Sequence, residues 1–168
     1  MKHAKQLTID FLYLDLSVCD RCQAADKVLD EALSGMRGLL PSRVTVNKFQ
    51  VSKSEVDESF RSPTIRINGR DIEEILNKEF NIMEDQKDNE CKPCSDVCEE
   101  DTLCRVYEFK GKEYTSIPRE MIQEAIAKTL GIELTPEQYE STASCGCEPV
   151  CCDDSHVAQS KDSGCGCS

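Results

Sequence analysis

The sequence predicts an α/β protein: a mixed sheet of about four strands flanked by helices, with a cysteine-rich insert and a cysteine-rich tail. Three observations carry that prediction. Residues 7–16 (LTIDFLYLDL) are apolar except for Thr8, Asp10 and Asp15, which reads as a buried strand. From Cys22 onward the apolar positions Cys22, Ala25, Val28, Leu29, Ala32 and Leu33 recur at three and four residues, the period of an amphipathic helix. Further on, Asn68-Gly69 sits between short β-branched runs, and a type I′ hairpin turn needs positive φ at both of its central residues.

The remaining elements follow in chain order. Gly35 and Gly38 with Pro41 end the first helix. Residues 43–51 (RVTVNKFQV) alternate and are rich in β-branched side chains, so they form the second strand. Val56 and Phe60 lie four apart, which predicts a short helix over 52–60. Pro63 starts the first arm of the Asn68-Gly69 hairpin, where its missing N–H does little harm. Residues 105–109 and 113–115 flank Lys110-Gly111-Lys112 as a second small hairpin. Ser116 is placed to cap the last helix, with Pro118 in its first turn, Met121, Ile122, Ala125, Ile126 and Leu130 on its apolar face, and Gly131 as its stop. Thr135-Pro136-Glu137-Gln138 reads as a capping box for one further turn. Past Tyr139 the only large apolar residues are Val150 and Val157, too few for a core. The expected division is a domain over 1–140, with the cysteine-rich insert at 83–104, and a flexible tail over 141–168.

Net charge is −12. Phosphate surfaces need an excess of Lys and Arg, so neither nucleic acid nor an anionic membrane is an expected partner. The start of the chain is basic, yet the apolar stretch behind it carries Asp10 and Asp15 and runs directly into a Cys-x-x-Cys, unlike an export signal. A cytoplasmic location is therefore expected. Thiols stay reduced there, and clustered cysteines then signal redox chemistry or metal binding more often than structural disulfides.

Twelve cysteines fall into three groups. Cys19-Asp20-Arg21-Cys22 stands where the first strand gives way to the first helix. Unpaired N–H groups and the helix macrodipole at such a junction favour an anion, here a thiolate. An ordinary thiol with pKa near 8.5 is only about 3% thiolate at pH 7, and a pKa of about 7 raises that to half. Cys19 is thus expected to be the attacking sulfur, titrating below an ordinary thiol and more exposed than Cys22.

Cys91, Cys94, Cys98 and Cys104 make up the second group. Four thiolates suit one tetrahedral zinc, although the nine residues between Cys94 and Cys104 are fewer than zinc knuckles use, and disulfides within the insert are the competing account. The third group, Cys145, Cys147, Cys151, Cys152, Cys165 and Cys167, consists of pairs at spacings of zero or one residue. Adjacent cysteines make strained disulfides but wrap a soft ion readily. Zinc or another thiophilic ion, such as arsenite or copper, is the class of ligand these two groups imply. His3 and His156 stand alone near the ends of the chain and read as solvated.

Strand, Cys-x-x-Cys helix, strand, helix, Pro-started hairpin and helix is an order that resembles the thioredoxin fold. Ser62-Pro63-Thr64-Ile65-Arg66-Ile67-Asn68-Gly69 looks like the cis-proline hairpin of thioredoxins and glutaredoxins. The resemblance implies that Pro63 is cis, faces Cys19 and helps hold an extended substrate backbone, with Cys22 resolving what Cys19 attacks. Over roughly residues 7–131 the chain is also similar to a family of small cysteine-rich thioredoxin-like proteins of bacteria and archaea. The similarity rests on Leu14-Asp15-Leu16-Ser17-Val18-Cys19-Asp20-Arg21-Cys22, on Cys104-Arg105-Val106-Tyr107, and on Lys110-Gly111-Lys112-Glu113-Tyr114 leading to Ile117-Pro118. No Trp precedes Cys19, and Asp-Arg stands between the cysteines where thioredoxin has Gly-Pro. The function expected is thiol–disulfide exchange with a protein partner; the alternative is a carrier of a soft metal or metalloid on the same scaffold.

Overall fold

The structure, a computed structural model, describes residues 6–52, 54–56, 60–90 and 103–135. The first strand, β1 (Gln6–Tyr13), forms where a strand is expected, but it alternates rather than being buried throughout, with Leu7, Ile9 and Phe11 fully buried. It stops three residues before Leu16. The Asp15 carboxylate accepts the backbone N–H of Ser17 at 2.6 Å and its hydroxyl at 2.5 Å, which bends the chain into a loop ahead of Cys19.

Helix α1 (Asp20–Gly35) buries Cys22, Ala25, Leu29 and Ala32 along one stripe. Its last turn closes with the Met36 N–H donating to the Leu33 carbonyl at 3.2 Å. Strand β2 (Arg43–Gln50) returns parallel to β1, with Gln6 opposite Arg43 and Tyr13 opposite Gln50. As an edge strand it leaves most of its residues exposed, Phe49 among them.

A short helix over 52–60 is not what the described residues there adopt: Ser54, Glu55 and Val56 form a turn, while 53 and 57–59 lie outside the described residues. Glu55 caps this turn, its carboxylate accepting the Ser52 N–H at 3.0 Å and hydroxyl at 2.8 Å. Local side-chain bonding of this kind competes with helix.

The hairpin around Asn68-Gly69 forms as predicted, from β3 (Thr64–Ile67) and β4 (Arg70–Asp71), with φ of 50° and 80° at the two turn residues. β3 lies antiparallel to β1, so the first sheet has the order β2-β1-β3-β4. The Ser62–Pro63 bond is cis.

Directly after β4 the chain turns into α2 (Ile72–Leu76), an element the periodicity did not announce because it is barely longer than one turn. Asp71 starts it with a full capping box, accepting the Glu73 N–H at 2.9 Å while Glu74 reaches back to the Asp71 N–H. A second short helix, α3 (Ile82–Asp85), follows.

A three-stranded antiparallel sheet then forms from β5 (Lys87–Glu90), β6 (Leu103–Phe109) and β7 (Lys112–Tyr114). The β6–β7 turn has positive φ at Lys110 and Gly111, as the second hairpin requires. Strand β5 was invisible in the sequence, since Lys-Asp-Asn-Glu has no apolar residue; pairing with β6 and the ion pairs of Lys87 and Asp88 hold it. An isolated bridge between Ser62 and Cys104 ties β6 to the chain just ahead of β3.

Helix α4 (Arg119–Leu130) closes the chain of described elements and stops at Gly131, whose φ is 69°. Its N-cap is Pro118 without a side-chain bond, so the capping role expected of Ser116 is not filled. α4 packs against α1 and α2, and its buried Met121, Ile122, Ala125 and Ile126 join Leu7, Ile9, Phe11, Leu29, Ile65 and Ile67 in one core. Among the described residues, no helix is long and apolar enough to cross a membrane. The architecture is a mixed α/β fold built on a four-stranded mixed sheet. Whether 1–140 and 141–168 divide as expected falls outside the described residues, because these end at Thr135.

Candidate functional site

Two buried clusters share strand β6, and three sulfurs make up the smaller one. Cys19, Cys22 and Cys104 pack together at 0% exposure, with Tyr13 and Leu16 against them. No disulfide joins any two of the three.

Each sulfur has its own means of placement. Cys19 is the N-cap of α1, with an extended backbone, and its Sγ accepts the Cys22 N–H at 3.4 Å. An N-cap side chain ordinarily supplies an oxygen for this purpose; here a sulfur faces the donors at the helix start. Cys22 follows in the first turn and points inward with Ala25 and Leu29. Gln23 holds the preceding loop in place by donating to the Leu16 carbonyl at 2.7 Å.

Ser62, the residue before the cis-proline, binds the site together. Its hydroxyl accepts the Leu14 N–H at 3.1 Å and lies 3.3 Å from the Cys22 Sγ. The hydroxyl can donate to the sulfur or accept its S–H. The Ser62 carbonyl accepts the Arg105 N–H at 3.0 Å, which seats Cys104 beside it. On the opposite edge of β6, Cys104 pairs with Asn89 of β5, and Arg21 from between the two helix cysteines donates to the Asn89 side chain. Arg61 grips the same strand through an ion pair of 2.5 Å with Asp88. Strand β5 is thereby held across the start of α1.

The expectation that Cys19 is the more exposed thiol is corrected by this arrangement, since both helix cysteines are fully buried. A helix N-terminus at a bare sheet end would leave its first sulfur open to water. Here Tyr13, Leu16 and Cys104 occupy that space.

Residue 105 turns to the other side of β6 and forms the second cluster. The Arg105 guanidinium makes a two-pronged pair with Asp71, both contacts at 2.6 Å, reaches Glu73 at 2.5 Å, and donates to the Thr64 hydroxyl at 3.2 Å. It lies over the Tyr107 ring at 4.7 Å. Burial works against its charge, but the Asp71 and Glu73 carboxylates outweigh that and raise its pKa further. Glu73 is pushed above its ordinary value by burial, against the pull of Arg105 and of the Glu108 N–H that its second oxygen accepts at 2.9 Å. Burial likewise raises the phenol of Tyr107, whose O–H donates to the Pro63 carbonyl at 2.6 Å.

Of the residues singled out in the sequence, Cys19 and Cys22 come together, and Cys104 joins them. Pro63 is buried, one residue from the Ser62 contact with Cys22, and its carbonyl is taken by Tyr107. Cys91, Cys94, Cys98, Cys145, Cys147, Cys151, Cys152, Cys165 and Cys167 lie outside the described residues. Among the described residues, no three of His, Cys, Asp or Glu are gathered so as to hold a metal ion. Sequence reasoning missed Ser62, Tyr107 and the Arg105–Asp71–Glu73 group. The one available signal was Arg105 itself, a charge in a strand flanked by Cys104 and Val106.

Residues 7–126 match a known family over most of the chain. The chain belongs to the DUF2703 family. That family is described as a domain of unknown function. The DUF2703 match takes in both buried clusters and ends before the cysteine pairs of the tail. No curated protein and no solved structure matches the chain.

Proposed function

We propose that the chain is a thiol–disulfide exchange protein on a thioredoxin-like scaffold, with Cys19 as attacking sulfur and Cys22 as resolving sulfur. The observation that carries this reading is the Cys19 Sγ at the N-cap of α1, accepting the Cys22 N–H. Such a donor stabilises a thiolate more than a thiol. Further support comes from the Ser62 hydroxyl beside Cys22 and from the order of strand, Cys-x-x-Cys helix, parallel strand and hairpin.

In the reaction, the Cys19 thiolate attacks one sulfur of a partner protein's disulfide. A Cys19–partner bond forms, and the partner's second sulfur leaves as a thiolate and takes up a proton. Cys22 then loses its proton and attacks the Cys19 sulfur, releasing the partner's remaining thiolate. Two electrons pass to the partner, and the dithiol ends as a Cys19–Cys22 disulfide.

Burial slows the approach of a disulfide, so the test is made at equilibrium. The full chain is poised in buffers of reduced and oxidised glutathione, quenched in acid, alkylated after unfolding and mapped by peptide mass. A Cys19–Cys22 bond is expected, appearing as a single two-electron transition. Alkylation of both cysteines at every poise would sink the proposal.

A further inference from the structure

The dithiol mechanism uses two of the three buried sulfurs and leaves Cys104 idle. Its position is too firmly fixed for a bystander. Five bonds fasten β6 to the segment that carries Ser62 and Pro63 and to the hairpin that follows it: Arg105 N–H to the Ser62 carbonyl at 3.0 Å, Arg105 Nη1 to the Thr64 hydroxyl at 3.2 Å, Tyr107 O–H to the Pro63 carbonyl at 2.6 Å, and two from the Arg105 guanidinium to the Asp71 carboxylate at the end of β4. On its other edge, Cys104 is backed by Asn89, to which Arg21 of the helix start is joined. These restraints act on Arg105 and Tyr107 of the same strand and on the residues paired with Cys104 to either side. Cys104 is thereby held in the same water-free cluster as Cys19 and Cys22.

We infer that Cys104 is a third exchanging thiol, which takes over the disulfide from the helix pair and forms a Cys22–Cys104 bond. The inference rests on the exchange reading above, which supplies the Cys19–Cys22 disulfide and names a partner disulfide as the oxidant. Cys104 attacks as a thiolate on the Cys22 sulfur. The Cys22–Cys104 bond forms, the Cys19–Cys22 bond breaks, and Cys19 departs as a thiolate. The proton lost by Cys104 ends on Cys19 or in solvent, and no electrons are gained or lost by the protein in this step.

Two features select Cys22 as the sulfur attacked. A better-stabilised thiolate leaves faster, and Cys19 is the sulfur that accepts a helix N–H. Ser62 also ties the two reacting residues together, its hydroxyl lying 3.3 Å from the Cys22 Sγ and its backbone bridged to Cys104. The product stores the oxidising equivalent inside the core and returns Cys19 to the attacking state.

Disulfide mapping of the full-length protein tests this, with oxidised glutathione as the oxidant. In wild type, both Cys19–Cys22 and Cys22–Cys104 are expected, the second accompanied by Cys19 as a thiol. In Cys19→Ser, Cys22–Cys104 should become the main bond made by Cys22. Circular dichroism establishes that this variant is folded; if it is not, the wild-type map decides alone. Cys104 recovered wholly as a thiol, or paired only with cysteines of the insert or tail, overturns the inference. If wild type still shows Cys19–Cys22 in that case, the dithiol reading survives and only the role of Cys104 falls. If neither bond appears in wild type, the dithiol reading has failed as well.

Discussion

Cys104 and Arg105 are neighbours on one strand, each about as buried as a residue can be, yet the two faces of β6 hold them by opposite physics. On the Arg105 face, a full charge is kept in the interior by two carboxylates, a hydroxyl and an aromatic ring. Removing one partner there strands the others without water. On the Cys104 face, small polarizable sulfurs sit among Tyr13 and Leu16, and little desolvation cost attaches to any one of them. One face therefore holds β6 by charge, and the other packs three sulfurs at little electrostatic cost. The comparison teaches that a cluster of sulfurs can be soft because its scaffold, one residue away, is stiff.

Breaking the stiff face should have the largest effect. Arg105→Met leaves Asp71 and Glu73 buried and facing each other, and should destabilise the protein by about 3–5 kcal/mol, the cost typical of severing a buried ion pair. Urea unfolding followed by circular dichroism measures it. A loss below about 1 kcal/mol would mean that the network is not what docks β6.

Altering the soft face should cost far less. Cys104→Ala removes a single buried sulfur and should lower stability by about 1 kcal/mol in the same assay. A loss equal to that of Arg105→Met would show that the two faces are not energetically distinct.

The smallest effect sharpens the comparison by pH. Burial raises the Glu73 pKa above its ordinary value of 4.5, so between that value and its folded-state pKa the folded protein binds more protons than the unfolded chain. Stability drawn from this group is thus greatest below 4.5 and declines as pH rises through the folded-state pKa. Asp15 works in the opposite sense, its carboxyl held below the usual range by the Ser17 hydroxyl and N–H, so its contribution is lost in acid. Glu73→Gln should flatten the decline above pH 4.5 in a pH series of unfolding midpoints and leave the acid limb in place. An unchanged decline would assign it to another group.

Much of the fold was legible because its signals are local. Leu7, Ile9 and Phe11 alternate, the stripe from Cys22 to Leu33 has helical spacing, and Asn68-Gly69 and Lys110-Gly111 supply the φ values their turns need. The β5 strand and the two short helices were not legible, since Lys87–Glu90 carries no hydrophobic pattern and α2 and α3 are too short to show a period. The end of β1 was misjudged because apolar residues continue to Leu16, while an Asp15–Ser17 turn that no hydrophobic pattern reports bends the chain away.

The candidate site divides along the same line. Cys19 and Cys22 were evident from four consecutive residues, because a strand-to-helix junction is written in the local pattern and its donors arise from helix geometry alone. The sequence alone therefore determined that a cysteine stands at the start of α1. Cys104 is 82 positions from Cys22 and was grouped by proximity in the chain with Cys91, Cys94 and Cys98. Only the tertiary structure brought it beside the helix pair, through the Ser62–Cys104 bridge and the Arg105 ion group. It also decided that the sulfurs are buried, which no motif records. Burial depends on what other segments pack above a residue, and those segments are chosen by long-range strand pairing and by the need to neutralise Arg105 once it is removed from water.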